Sequence, residues 1–428
     1  MAINKKFSAT FIVLLLVILA VTIPVAAQEL NLENLIAEAI KRNPEILASQ
    51  ARVEAVRHRI PQAKSLPDPM VMAGYQNEGS SRYTYGDLPD SQWMFSASQM
   101  FPFWGKRDLR GEMTARDAES TDEAHRLLQL KTAARVSELY FDLFLAHKNI
   151  DLIRDRGVLF GRIEDIAASR YAAGRAAQQE VLMAQTEKYM LVEKEEMLRQ
   201  KILSLEAMLR SALGRGTSAP LGRPAERAMS VFSPGLDEML QRGSAHAPEI
   251  RSRERMIEAA EAKLAMARKE YYPDVTLTAG VFPRGGEFRN MYSLTATFNV
   301  PLYFKSRQEP AVKEAHAGLI QARHDLDAAR YMVSAAVRDN YSLIRAADNL
   351  MDLYKKGLIP KTRQDFEQAV AGYGTGRTEA IVAISRLKTL IDYESLYWSQ
   401  FAEREKAIAR LHAITGDPHP EAGGGGQK

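Results

Sequence analysis

Two stretches of strict alternation, one in each half of the chain, limit what it can fold into. The first is Trp93-Met94-Phe95-Ser96-Ala97-Ser98-Gln99-Met100-Phe101-Pro102; the second is Tyr292-Ser293-Leu294-Thr295-Ala296-Thr297-Phe298-Asn299-Val300-Pro301. In the first, Trp93, Phe95, Ala97 and Phe101 fall on one face, and Met94, Ser96, Ser98 and Met100 on the other. In the second, Tyr292, Leu294, Ala296, Phe298 and Val300 oppose Ser293, Thr295, Thr297 and Asn299. A period of two marks a strand with one apolar and one polar face. Each run comes after a partner segment, 70–77 and 275–282, so the sequence predicts two β-hairpins of strands roughly ten residues long.

Nearly everything else reads as helix. Residues 32–64 carry apolar positions at helical spacing, interrupted at Asn43-Pro44, where proline is tolerated in a first turn. Pro61 is expected to kink or fray the end of that helix. From 108 to 171 there is no proline, and only Gly111, Gly157 and Gly161 weaken a helix on the order of 90 Å long. Leu130, Ala134, Ser137, Phe141 and Phe144 form one stripe, and Val136, Leu139, Tyr140 and Leu143 a second, so this helix has two neighbours to pack against. A turn at Arg170-Tyr171-Ala172-Ala173-Gly174-Arg175 leads to a return helix that stops at Gly214.

The plan then repeats. Asn43-Pro44-Glu45-Ile46 returns as Ala247-Pro248-Glu249-Ile250, Pro67-Asp68 as Pro273-Asp274, Tyr140 as Tyr341, and the Tyr171-to-Arg175 turn as Tyr373-Gly374-Thr375-Gly376-Arg377. The expected organisation is a first repeat over 28–215 (β-hairpin about 69–101, helical hairpin about 108–214) and a Gly/Pro-rich linker over 216–234. A second repeat covers 235–416 (β-hairpin about 274–301, helical hairpin about 309–416), and a disordered tail covers 417–428.

Lys5 and Lys6 precede the apolar run 11–21, and Val25-Ala26-Ala27 supplies small residues, so residues 1–27 are expected to be a cleaved signal peptide. A permanent anchor is the alternative, and the run is short for one. The formal charge is +4, and removal of Lys5 and Lys6 leaves +2, which argues against nucleic acid as the main partner. With no cysteine the chain has no disulfide, no thiolate metal site and no lipidated N-terminal cysteine. The eight histidines, His58, His125, His147, His246, His316, His324, His412 and His419, show no metal-ligand spacing. Gly372-Tyr373-Gly374-Thr375-Gly376 lacks the strand and the acidic partner of a dinucleotide loop, and no nucleophile elbow or phosphate-binding loop is present. No catalysis and no cofactor are expected.

Aromatic-rich amphipathic strands of this length suit an outer-membrane β-barrel, but two hairpins cannot close one. Unpaired backbone groups cost several kcal/mol each in lipid, so several chains must pool strands, and three copies would supply twelve. A soluble α+β protein with a small sandwich, or a periplasmic coiled-coil adaptor, is the alternative. Neither accounts for the duplication together with the bilayer-length hairpins.

Over residues 30–416 the chain resembles the TolC family of outer-membrane efflux ducts. The resemblance is carried by Asn43-Pro44-Glu45, the Tyr-x-x-Gly turns at Tyr171 and Tyr373, the stops at Leu213-Gly214 and Thr415-Gly416, and the duplication itself. Pro67-Asp68-Pro69-Met70 with Gln99-Met100-Phe101-Pro102-Phe103-Trp104-Gly105-Lys106-Arg107 is closer to the CzcC/CusC-type branch associated with heavy-metal efflux. The resemblance implies a mainly α protein with a membrane β-barrel: a homotrimer whose 12-stranded barrel continues into a periplasmic α-helical barrel. Its implied partners are outer-membrane lipid, a periplasmic adaptor (membrane fusion) protein and an inner-membrane pump of the RND class. An outer-membrane duct for type I protein secretion shares this fold and stays open, as does the cargo.

By the same resemblance Glu180, Tyr373, Arg377 and Glu379 fall at or near periplasmic gate positions. Gly174, Arg175, Gly376 and Arg377 fall at adaptor-contacting turns. The family's acidic constriction falls on Val382 and Ser385, which are not acidic, so Glu379 or Glu180 is left to supply it. Met70, Met72, Met94 and Met100 are thioethers on the strands, suited to soft metal ions but equally to filling space.

Overall fold

A computed structural model of the chain describes residues 29–79, 81–216 and 221–417. The expected signal over 1–27, and all of the expected tail beyond Asp417, lie outside the described residues. The element order is α1 (Leu32–Arg42), α2 (Pro44–Lys64), β1 (Met70–Gln76), β2 (Gln92–Phe101), α3 (Lys106–Ala172) and α4 (Gln178–Ala212). The same order then recurs: α5 (Leu236–His246), α6 (Pro248–Lys269), β3 (Val275–Phe282), β4 (Met291–Phe298), α7 (Gln308–Leu353), a π-helical turn (Tyr354–Leu358), α8 (Ile359–Thr375) and α9 (Ala380–Thr415). The second helical hairpin is thus interrupted by the π-turn, which hydrophobic periodicity alone does not announce. α2 continues through Pro61 and ends at Lys64, with Ser65 as its cap.

The chain divides into two compact units, and each draws on both repeats. One comprises the described residues up to Ile40 with Arg135–Phe232 and Leu343–Ala407. Its core is built where the two predicted stripes of α3 lie: Val136, Ser137, Leu139, Tyr140, Phe141, Leu143 and Phe144 are all buried. Phe144 stacks edge-on against Trp398, ring centroids 5.8 Å apart, and contacts Phe401 at 5.6 Å. The segment expected as a linker is tied down here. Leu30 pairs in parallel with Pro224, and the buried Tyr140 hydroxyl donates to the Ala225 carbonyl at 3.1 Å. Burial pushes that phenol up to about 12, so it stays a donor. A second core in this unit joins Ile153, Phe160, Ile163 and Ala167 of α3 to Phe366, Val370 and Tyr373 of α8 and Ile384 and Leu387 of α9.

The other unit comprises Lys41–Ala134, Ser233–Ser342 and the residues from Ile408. Asn43 caps α2 by accepting from the Glu45 and Ile46 amides at 2.8 and 3.3 Å, satisfying donors that a helix start leaves free. Ala247, its echo, makes no such side-chain cap on α6. The four strands form one antiparallel sheet in the order β1-β2-β3-β4, so the two hairpins join edge to edge through β2 and β3. The strands have 7, 10, 8 and 8 residues, shorter than the ten expected except in β2.

The register carries the alternation across all four strands. Ala97 pairs with Val71 and Ala279, and Ala279 with Leu294, so Val71, Ala97, Ala279 and Leu294 line one face. Phe95, Val281 and Tyr292 join them there. The opposite face carries Met72, Ser96, Gly280 and Ser293 in one row and Met70, Ser98, Thr278 and Thr295 in the next. The apolar face is not covered: Val71 and Leu294 are each 80% exposed and Tyr292 is 74%.

A buried ion pair fixes the chain where the strands of this unit meet its helices. Lys106, 1% exposed, donates to Asp274 Oδ1 at 2.9 Å and to the Tyr272 carbonyl at 3.0 Å. The same Asp274 oxygen accepts from the Phe103 amide at 2.7 Å. The Pro-Asp echo thus has a structural task in its second copy: it holds the exit of β2 to the entry of β3.

Candidate functional site

The two Tyr-x-x-Gly turns fold alike. At the first, Gly174 adopts φ +68°, and the Arg175 amide donates back to the Arg170 carbonyl at 2.8 Å. At the second, Gly376 adopts φ +78°, and the Arg377 amide donates to the Gly372 carbonyl at 2.8 Å. This is the helix stop that requires a left-handed residue, which glycine supplies without steric cost. Both turns belong to the unit that contains Arg135–Phe232 and Leu343–Ala407.

The turns differ in what they bury. Tyr171 is exposed, whereas Tyr373 is fully buried at 0%. The Tyr373 hydroxyl donates to Glu180 Oε2 at 2.8 Å, joining the end of α8 to the first turn of α4. Burial raises the phenol's proton affinity, and the Glu180 carboxylate raises it further by accepting the hydrogen bond and by its charge, while Arg170 opposes both. Tyr373 is therefore a neutral donor at any physiological pH. Of the sequence-derived candidates, the structure brings together Glu180 and Tyr373. Arg377, Glu379, Gly174, Arg175 and Gly376 lie exposed on the turns themselves.

One residue of this cluster was not singled out in the sequence. Arg170, in the last turn of α3, donates from Nη1 to the Tyr373 carbonyl at 2.6 Å and from Nη2 to the Arg175 carbonyl at 3.1 Å. Its guanidinium carbon lies 5.1 Å from the centroid of the Tyr373 ring. The available signal was an asymmetry between the repeats: aligning the turns on their glycines sets Arg170 opposite Gly372.

Met70, Met72, Met94 and Met100 share the polar face of the sheet, since Met72 pairs with Ser96, Gly74 with Met94 and Met100 with Thr276. Among the described residues, no cluster of three or more His, Asp or Glu side chains has the arrangement of a metal site. No described helix is long and apolar enough to cross a membrane.

The model of the family described as outer membrane efflux protein matches residues 35–215 and 239–382. The chain belongs to the outer membrane efflux protein family. Members of that family are outer-membrane channel proteins. Within it, the nickel-cobalt-cadmium resistance protein NccC of Alcaligenes xylosoxydans xylosoxydans is 25% identical over 350 residues, spanning 81% of this chain and 77% of that one. The cobalt-zinc-cadmium resistance protein CzcC of Cupriavidus metallidurans is 21% identical over 400 residues, spanning 91% of each. The outer membrane protein VceC of Vibrio cholerae superposes with a TM-score of 0.78 at 17% identity, over 90% of this chain and 96% of that one. This outer membrane efflux protein therefore shares the fold of a known outer-membrane protein, and its family gives it the role of an efflux exit duct.

Proposed function

We propose that the duct is a homotrimer whose three sheets close into a twelve-stranded barrel, and that it releases divalent transition-metal ions. The observation that carries this reading is the amphipathic four-stranded sheet. One face presents exposed Val71, Phe95, Leu277, Tyr292 and Leu294, and the other serine, threonine and methionine. β1 and β4 are edges, and an open edge in lipid leaves backbone donors and acceptors unmet. Pairing β4 of one copy with β1 of the next removes every edge and turns the apolar face to lipid and the polar face to a lumen.

The names of NccC and CzcC support the metal cargo. Met70, Met72, Met94 and Met100 then lie along the lumen wall as weak contacts. The duct works with a periplasmic adaptor and an RND-class inner-membrane pump, which provide selection and energy. Gly174, Arg175, Gly376 and Arg377 are exposed where an adaptor reaches them, and the Tyr373–Glu180 hydrogen bond holds the resting gate.

The test is single-channel conductance of the purified chain in planar bilayers, with its mass in mild detergent taken on the same sample. Discrete conductance from a trimer supports the barrel, and a non-conducting monomer sinks it. Restored nickel, cobalt, zinc or cadmium tolerance in a host lacking its own duct supports the cargo. Unchanged metal tolerance alongside restored protein secretion replaces it with a type I secretion duct.

A further inference from the structure

We infer that Arg170 is a positioning residue of the gate: it aims Tyr373 at Glu180 and so keeps the two glycine turns of one protomer together while the gate rests. The inference rests on the gate reading of Tyr373 given above and deepens it.

The side chain is placed for this role. Its two terminal nitrogens reach carbonyls in different turns, Tyr373 of the second and Arg175 of the first. The Tyr373 carbonyl, which also accepts from the Gly376 amide at 3.1 Å, lies at a helix C-terminus and carries partial negative charge that a guanidinium answers. The bond to the Tyr373 carbonyl fixes that residue's backbone, and the guanidinium over its ring restrains the side chain. The far end of the same ring donates to Glu180. Tyr373 is thereby held at its carbonyl, its ring and its hydroxyl by α3 and α4 together. The repeats are asymmetric at this position. The counterpart of Arg170 is Gly372, where a Cβ would come within 2.9 Å of Thr378 Oγ1. The second turn is packed too closely to carry its own clamp, and so the first turn reaches across to it. An arginine that merely ended α3 would need only the Arg175 carbonyl.

On this reading the gate opens when the phenol leaves Glu180, and Arg170 holds Tyr373 where that bond forms. Single-channel recording of the full-length R170A, Y373F and R170A/Y373F proteins tests this. R170A is expected to raise the open fraction on the order of tenfold, as loss of a charge-assisted hydrogen bond does to a two-state equilibrium. The double variant is expected to open no further than Y373F alone, because Arg170 acts through Tyr373. A double variant whose effect is the product of the two singles overturns the inference, as does an R170A channel that stays closed while Y373F opens. If neither variant opens, the gate reading itself fails and the inference with it. Should R170A not assemble, R170K serves, since one ammonium can hold one carbonyl but not the fork. It is expected to open partway in the wild-type background and to add nothing to Y373F, and an effect that adds to Y373F overturns the inference.

Discussion

Lys106 is buried because Asp274, the more distant Glu270 and the Tyr272 carbonyl meet its charge. Replacing it with methionine keeps the stem and strands the carboxylate, which costs roughly 3–5 kcal/mol for a broken buried pair. K106M is therefore expected to lower the denaturation midpoint sharply. K106M/D274N should recover much of that loss, and urea titration of both measures it. His147 offers a pH-dependent counterpart. Burial lowers its pKa, the neighbouring Arg223 lowers it further, and Asp151 opposes them; its Nε2 is buried without a partner among the described residues. The folded protein thus binds that proton less readily than the unfolded chain, where histidine titrates near ~6.5. Stability contributed by neutral His147 is fully present above ~6.5 and is lost as pH falls from there through the lower folded value. The melting temperature of H147Q should fall less than that of the wild type between neutral pH and pH 5, and equal falls would refute the assignment.

Among the elements, the π-turn at Tyr354–Leu358 calls for a reason. The segment from Tyr341 to Gly376 is one residue longer than its echo from Tyr140 to Gly174. A single residue inserted into an α-helix is absorbed as a π-turn, which keeps the remaining helix in phase. Pro360, just beyond it, lacks an amide hydrogen and would collide with the carbonyl four residues back in a regular helix. Deleting Gly357 gives this segment the length of its echo, so it is expected to restore α geometry and leave α8 in phase, with Tyr373 still at Glu180. The channel should close as the wild type does, and a deletion variant that leaks as Y373F does would show that the turn does more than absorb the extra residue.

The strand faces were legible to the residue, because alternation is a local signal that packing had no reason to override. Trp93, Phe95, Ala97 and Phe101 lie on the face that alternation assigns them. The join between β2 and β3 was not legible, since hairpins about 180 residues apart in the chain carry no mark of which edges meet. β4 stops at Phe298 rather than running on to Pro301, because Asn299 turns its side-chain oxygen to the Asp274 amide and a proline cannot donate to a ladder. Glu180 and Tyr373 were found through the resemblance. Arg170 was passed over because an arginine beside a turn has many ordinary uses, and only the carbonyl it reaches in the other repeat distinguishes it.

At the scale of the whole molecule, the sheet leaves every single chain with an unpaired β1, an unpaired β4 and an apolar face open to water. No monomer can enter lipid as it stands, because its edges would go in unmet. In the proposed trimer, insertion must come after or accompany the meeting of three copies, so its rate should rise far more steeply than linearly with chain concentration. Vesicle insertion monitored by protease protection over a dilution series measures that order, and a first-order rate would mean the sheet finds its partners inside the membrane. Until the copies meet, the same two edges are templates for any other strand. The period between export and assembly is therefore when this protein is most exposed to aggregation, and its yield in the outer membrane depends on how briefly each chain stays alone.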